Sequence, residues 1–89
     1  MGESMREIIL DCSNITDKGQ LHEALQEALQ LPEWYGKNLD ALFDCLTELD
    51  VETHLILQNW NCDTAFACGF ESVFADAAAE NILFSYRID

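Results

Sequence analysis

Apolar positions along the chain alternate between short β-branched runs and stripes at helical spacing. The first run, Ile8–Ile9–Leu10, is flanked by Glu7 and Asp11 and predicts a buried strand. Leu21, Leu25 and Leu29, with Ala24 and Ala28, form one stripe of a helix that Thr16 or Asp17 can cap. Pro32 is expected to end that helix, because it lacks an N–H and disfavours helical geometry at Leu31. Residues 33–37 read as a loop, and Asn38 as the N-cap of a second helix running from Leu39 to about Glu48. On that helix Leu39, Leu42 and Leu46 face the core with Cys45 beside them, while Asp40, Phe43, Asp44 and Thr47 line another face. Leu55–Ile56–Leu57 predicts a second buried strand ending near Trp60. Asp63 can cap a short helical turn that Gly69 stops, and Phe70, Val73, Phe74 and Ala77 mark a further helix. The last segment, from Ile82 to Ile88, alternates with period two and reads as the final strand.

Strands at the start, middle and end, joined by long helical connections, favour parallel pairing with right-handed crossovers. The expected fold is α/β in two layers, a three-stranded parallel sheet packed by about four helices. There is no internal repeat or linker, so residues 1–89 form a single domain. Residues 1–4, ahead of a second methionine at Met5, are expected to be a disordered or added lead-in.

Composition narrows the possible functions. The chain is 49% hydrophobic, with five Phe, two Trp and two Tyr, which is enough for a core and excludes disorder. Seventeen acids against four bases give a net charge of −13, which repels phosphates and excludes nucleic acids and anionic membranes as partners. Such a chain attracts basic proteins instead. No run approaches the roughly 18 apolar residues of a membrane span. The polar start does not resemble a secretory leader, so a cytoplasmic location is expected. Cys12, Cys45, Cys62 and Cys68 are therefore read as reduced and mostly buried rather than as disulfides.

Catalytic signatures are missing. The chain has no Gly-rich phosphate loop, no G-x-S-x-G elbow and no HExxH, and His22 and His54 have no partner at a recognisable spacing. His22 is expected on a partly exposed helix flank. Cys62 and Cys68 are the closest cysteine pair and lack zinc-ligand spacing, so neither metal nor cofactor is expected. A non-enzymatic binding role remains. Between Glu33 and Glu52 lie Glu33, Asp40, Asp44, Glu48, Asp50 and Glu52, against the single cation Lys37. Asp40 and Asp44 share a helix face, a repulsion that costs about 0.2–0.5 kcal/mol. Phe43 lies between them, and Trp34 and Tyr35 come just before. Carboxylates beside aromatic anchors suit a cationic target; the plain alternative is a solvated acidic face with its aromatics in the core.

The run Leu31-Pro32-Glu33-Trp34-Tyr35-Gly36-Lys37-Asn38-Leu39-Asp40-Ala41-Leu42-Phe43-Asp44-Cys45-Leu46-Thr47 resembles the barstar family, intracellular inhibitors of the extracellular ribonuclease barnase. The resemblance extends to Leu21–His22 and to Gly69-Phe70-Glu71-Ser72-Val73. It implies a three-stranded parallel sheet with helices packed on it, and inhibition by occlusion of an active site. It gives Asp44 the place of a substrate phosphate, Asp40 a second acidic contact, and Tyr35 packing against the enzyme's catalytic histidine. Trp34, Gly36, Asn38, Leu39, Phe43 and Thr47 match neighbouring contact positions, and Glu71 an outlying one. The chain departs from the family at Trp34 (tyrosine in barstar), Phe43 (tryptophan), Glu48–Leu49 (Gly–Trp) and Thr53–His54, where a proline is missing. The partner implied is a basic, barnase-like, extracellular-type ribonuclease, met by a chain that is a monomer when free. An acidic binding or immunity module for another basic protein is the alternative.

Overall fold

A computed structural model describes residues 6–89, so the expectation for residues 1–4 lies outside the described residues. The elements are β1 (Arg6–Asp11), α1 (Lys18–Leu29), α2 (Leu39–Thr47), β2 (Thr53–Gln58), α3 (Ala67–Glu80) and β3 (Phe84–Ile88). The strands are parallel and ordered β1-β2-β3. Two right-handed crossovers progressing in one direction put all the helices on one face of the sheet. Ile8, Leu55 and Tyr86 form one row facing the helices; Ile9, Ile56 and Arg87 form a row on the other side. The predicted two-layer α/β architecture is the one found.

Three details differ from the sequence reading. β2 is central and fully buried at Leu55, Ile56 and Leu57, but β1 is an edge strand with Ile9 55% exposed. Ile8 and Leu10 of its hydrophobic run pack against the core, but Ile9 points to the opposite side of the sheet, over which the described residues form no layer. There are three helices among the described residues, not about four. Residues 61–66 form turns, Asp63 caps no helix, and α3 begins at Ala67. Gly69 stops nothing: it sits inside α3, where an added Cβ would come within 2.9 Å of Leu39 Cδ1. The missing side chain lets α3 close against α2.

Helix ends are fixed by side chains. Asp17 Oδ1 accepts the Gln20 N–H at 2.8 Å, while Gln20 Oε1 accepts from the Thr16 N–H at 2.7 Å, closing a reciprocal cap on α1. Gln30 ends α1 in the left-handed region (φ 55°), and the N–H groups of Gln30 and Leu31 both reach Gln26 O. The helix has therefore stopped before Pro32. Asn81, just after α3, does the corresponding work for α2. Its Nδ2 donates to the carbonyls of Leu46, Thr47 and Leu49 at 3.0, 3.3 and 3.1 Å, and its Oδ1 accepts the Leu83 N–H at 3.0 Å. Carbonyls at a helix end need such partners.

The core is centred on Phe70, Phe74 and Phe84, buried with Leu21, Leu25, Leu42, Leu46, Leu55 and Leu57. All four cysteines are free; Cys12 and Cys45 are buried, but Cys62 and Cys68 are exposed, so only half fit the expectation of buried thiols. Burial pushes the Cys12 and Cys45 thiols up, with Asp11 adding to the first and Glu48 and Asp44 to the second. We expect a thiol reagent to titrate two cysteines rapidly in the native protein and four after unfolding. Asn81→Ala is expected to lower stability in urea by about 1–3 kcal/mol, because buried carbonyls of α2 lose their donor.

Candidate partner-binding surface

The surface is built on α2, whose start is set by the preceding loop. Asn38 Oδ1 accepts the Ala41 N–H at 2.8 Å, as an N-cap should. An added Cβ at Gly36 would lie 2.9 Å from Asn38 Nδ2, so a larger residue there would displace the capping side chain. Lys37 between them has a left-handed backbone, φ 57°. From this start Leu42, Cys45 and Leu46 turn inward and are buried. Asp40 and Asp44 are exposed on the outer side, and Phe43 and Thr47 are half-buried. The helix thus holds two carboxylates one turn apart on a face whose reverse is locked into the core. Asp40 lies in the first turn, where the positive end of the helix dipole favours it.

The two loop aromatics separate. Trp34 is 61% exposed, whereas Tyr35 is 4% exposed and belongs to the core. Tyr35 is enclosed in the core of the free chain, and the exposed ring in the loop before α2 is that of Trp34. Gly36 and Asn38 are exposed and Leu39 is half-buried against α3. Glu71 lies on α3, where its carboxylate accepts the Trp60 Nε1–H at 2.7 Å; it is half-buried and already partnered.

What Tyr35 contacts is His22. The sequence reading placed this histidine on a partly exposed flank, but it is 3% exposed. Its Nδ1 is hydrogen-bonded to the Tyr35 hydroxyl, and its ring lies 4.8 Å from that of Phe70, centroid to centroid. The cluster ties α1, the loop before α2, and α3 together. Burial raises the Tyr35 hydroxyl far above its usual range, with the Cys45 thiol adding to it, so the phenol stays protonated while it shares a hydrogen bond with Nδ1. Burial above all, then the positive charges of Lys18 and Lys37, holds His22 below its ordinary 6.5, as a neutral ring. The pairing of these two residues is not conspicuous in the sequence. The available signal was that Trp34 and Tyr35 are adjacent, so one of them must turn inward and find a polar partner for its hydroxyl or indole.

The fold and this surface define a small two-layer α/β protein that presents a rigid acidic helix flanked by an exposed tryptophan. The chain belongs to the barstar family: the family model described as "Barstar (barnase inhibitor)" matches residues 5–85. It is also 36% identical over 80 residues, 89% of this chain and 79% of the relative, to a Bacillus subtilis (strain 168) protein named "Putative ribonuclease inhibitor YrdF".

A neutral buried histidine makes stability depend on pH. The unfolded chain takes up a proton near 6.5 that the folded chain refuses, so this contribution is complete above 6.5 and is lost as pH falls below it. In urea melts from about pH 7.5 to 5.5, where carboxylates stay largely ionised, the parent is expected to lose stability relative to His22→Gln. Tyr35→Phe is expected to cost about 1–3 kcal/mol at neutral pH, because it leaves a buried ring nitrogen without its hydrogen-bond partner.

Proposed function

We propose that the protein inhibits a basic, barnase-like ribonuclease by covering its active site with the outer face of α2. The observation that carries this reading is the pair Asp40 and Asp44, exposed and one turn apart on a helix fixed at both ends. A ribonuclease must hold phosphates with Arg or Lys, and carboxylates preset on a rigid helix can occupy those positions as charge-assisted acceptors. In this reading Asp44 fills a phosphate position and Asp40 is the second acidic contact. Trp34 supplies the exposed aromatic anchor, with Phe43, Thr47, Gly36, Asn38 and Leu39 around it. Glu71 contributes at the margin, once released by Trp60. The chain acts by occlusion rather than catalysis, as a monomer, and in the cytoplasm, where free thiols persist. Membership of the barstar family and the name of the Bacillus subtilis relative support a ribonuclease as the partner.

The test is inhibition of RNA cleavage across a panel of basic ribonucleases, read beside thermal stability. Asp44→Ala is expected to leave the free protein unchanged or more stable by about 0.2–0.5 kcal/mol, since it relieves a like-charge pair. The same change is expected to weaken the complex by about 2–5 kcal/mol, a range to which the barnase–barstar pair itself contributes, because the enzyme's cations lose their partner. Trp34→Ala is expected to cost more than about 1 kcal/mol of binding. Asp50→Ala, beyond the helix, is expected to cost less than about 1 kcal/mol. Full inhibition by Asp44→Ala would remove the assignment. Failure of the parent against every ribonuclease would favour an acidic module for another basic protein. Association is expected to slow steeply with added salt while dissociation changes less, as in electrostatic steering.

A further inference from the structure

A groove of about 910 Å³ opens where the starts of the three helices converge. Its accessible apolar surface includes the half-buried Leu39 and Phe66, above the buried ring of Phe70, and the turns of residues 64–66 form one wall, where the sequence suggested a further helical turn. Two of the chain's four Lys and Arg residues, Lys18 and Lys37, line it. The lining carries a single acid, Asp17, whose carboxylate is occupied capping α1. Glu23 reaches Lys37 from outside at 3.5 Å, but both side chains are largely in solvent and the pair is weak. His22, also in the lining, is a neutral ring and adds no charge. A protein with a net charge of −13 therefore gathers half its cations around one mostly apolar hollow. Small-molecule sites have this character: about 300–1,000 Å³, mostly apolar, between helices, with a few placed polar groups.

We propose that this groove binds a small amphiphilic monoanion, an apolar body ending in one carboxylate or sulfonate, with Lys18 and Lys37 holding the anionic end and Leu39 and Phe66 the apolar body. A second copy of the chain fits poorly, because like-charged molecules repel. A basic protein surface would meet the two lysines.

The probe is 8-anilino-1-naphthalenesulfonate, titrated by fluorescence into the folded protein at neutral pH. The expected result is saturable one-to-one binding with blue-shifted emission. Decanoate should displace the dye and decyltrimethylammonium should not. Lys18→Glu and Lys37→Glu are each expected to weaken binding about threefold to tenfold relative to Arg87→Glu, which makes the same change in total charge on the uncovered side of the sheet. Ala65→Trp, at an exposed lining position, is expected to block the groove, with circular dichroism reporting that the fold is kept. No saturation below about 1 mM dye overturns the proposal. So do lysine variants that match Arg87→Glu, unimpaired binding by a folded Ala65→Trp protein, or equal displacement by the cationic detergent. The lysines are at the surface, so their variants decide the matter even if Ala65→Trp fails to fold.

Discussion

Right-handed crossovers between parallel strands allow little freedom here. With the strands in the order β1-β2-β3, both crossovers place their helices on the same face of the sheet. Most other features follow from this constraint. The central strand can bury Leu55, Ile56 and Leu57 together, whereas the outer strands bury only alternate residues. The helices must share one sheet face, so they crowd each other, and the crowding is relieved at Gly69 against Leu39. α2 joins that single layer with its inner side committed to the core, and its other side can carry only what water or a partner will accept.

The acidic face is expensive in the free molecule. Asp40 and Asp44 repel each other, and they do so within a chain already far from neutral. The helix that carries them is held from outside itself: by Asn38 at its start, by Asn81 beyond α3 at its end, and by burial of Leu42, Cys45 and Leu46. An interaction surface composed of like charges needs such external anchoring, since local helix energetics work against it. The same anchoring keeps the carboxylates preset, which reduces the ordering cost on association.

Features governed by local periodicity were legible in the sequence. The three strands, the stripe of α1, the caps at Asp17 and Asn38, and the inward and outward faces of α2 follow from spacing and from side-chain reach within a turn. Features decided by neighbours from distant parts of the chain were not. His22 lies next to a helical stripe, and only the arrival of Tyr35 and Phe70 makes its position a buried one. Gly69 resembles a helix stop until α2 is brought against it. Ile9 sits in an apolar run like that of β2, but edge position decides its exposure. On the candidate surface the acidic pair was legible, because residues four apart on a helix share a face. Which of Trp34 and Tyr35 turns outward was not, since adjacent loop residues carry no periodic signal.

Among the described residues the sheet ends in two unpaired edges, β1 and β3, and has one face without a covering layer. Bare edges of this kind are templates for pairing between molecules. Here they carry Glu7 and Asp11 on one side and Arg87 with Asp89 on the other, within a molecule whose charge keeps copies apart. Acidity thereby opposes strand-to-strand assembly between copies. Protonation of the carboxylates removes that protection along with the repulsion, so acid strong enough to neutralise them turns a self-avoiding molecule into one with open β-edges.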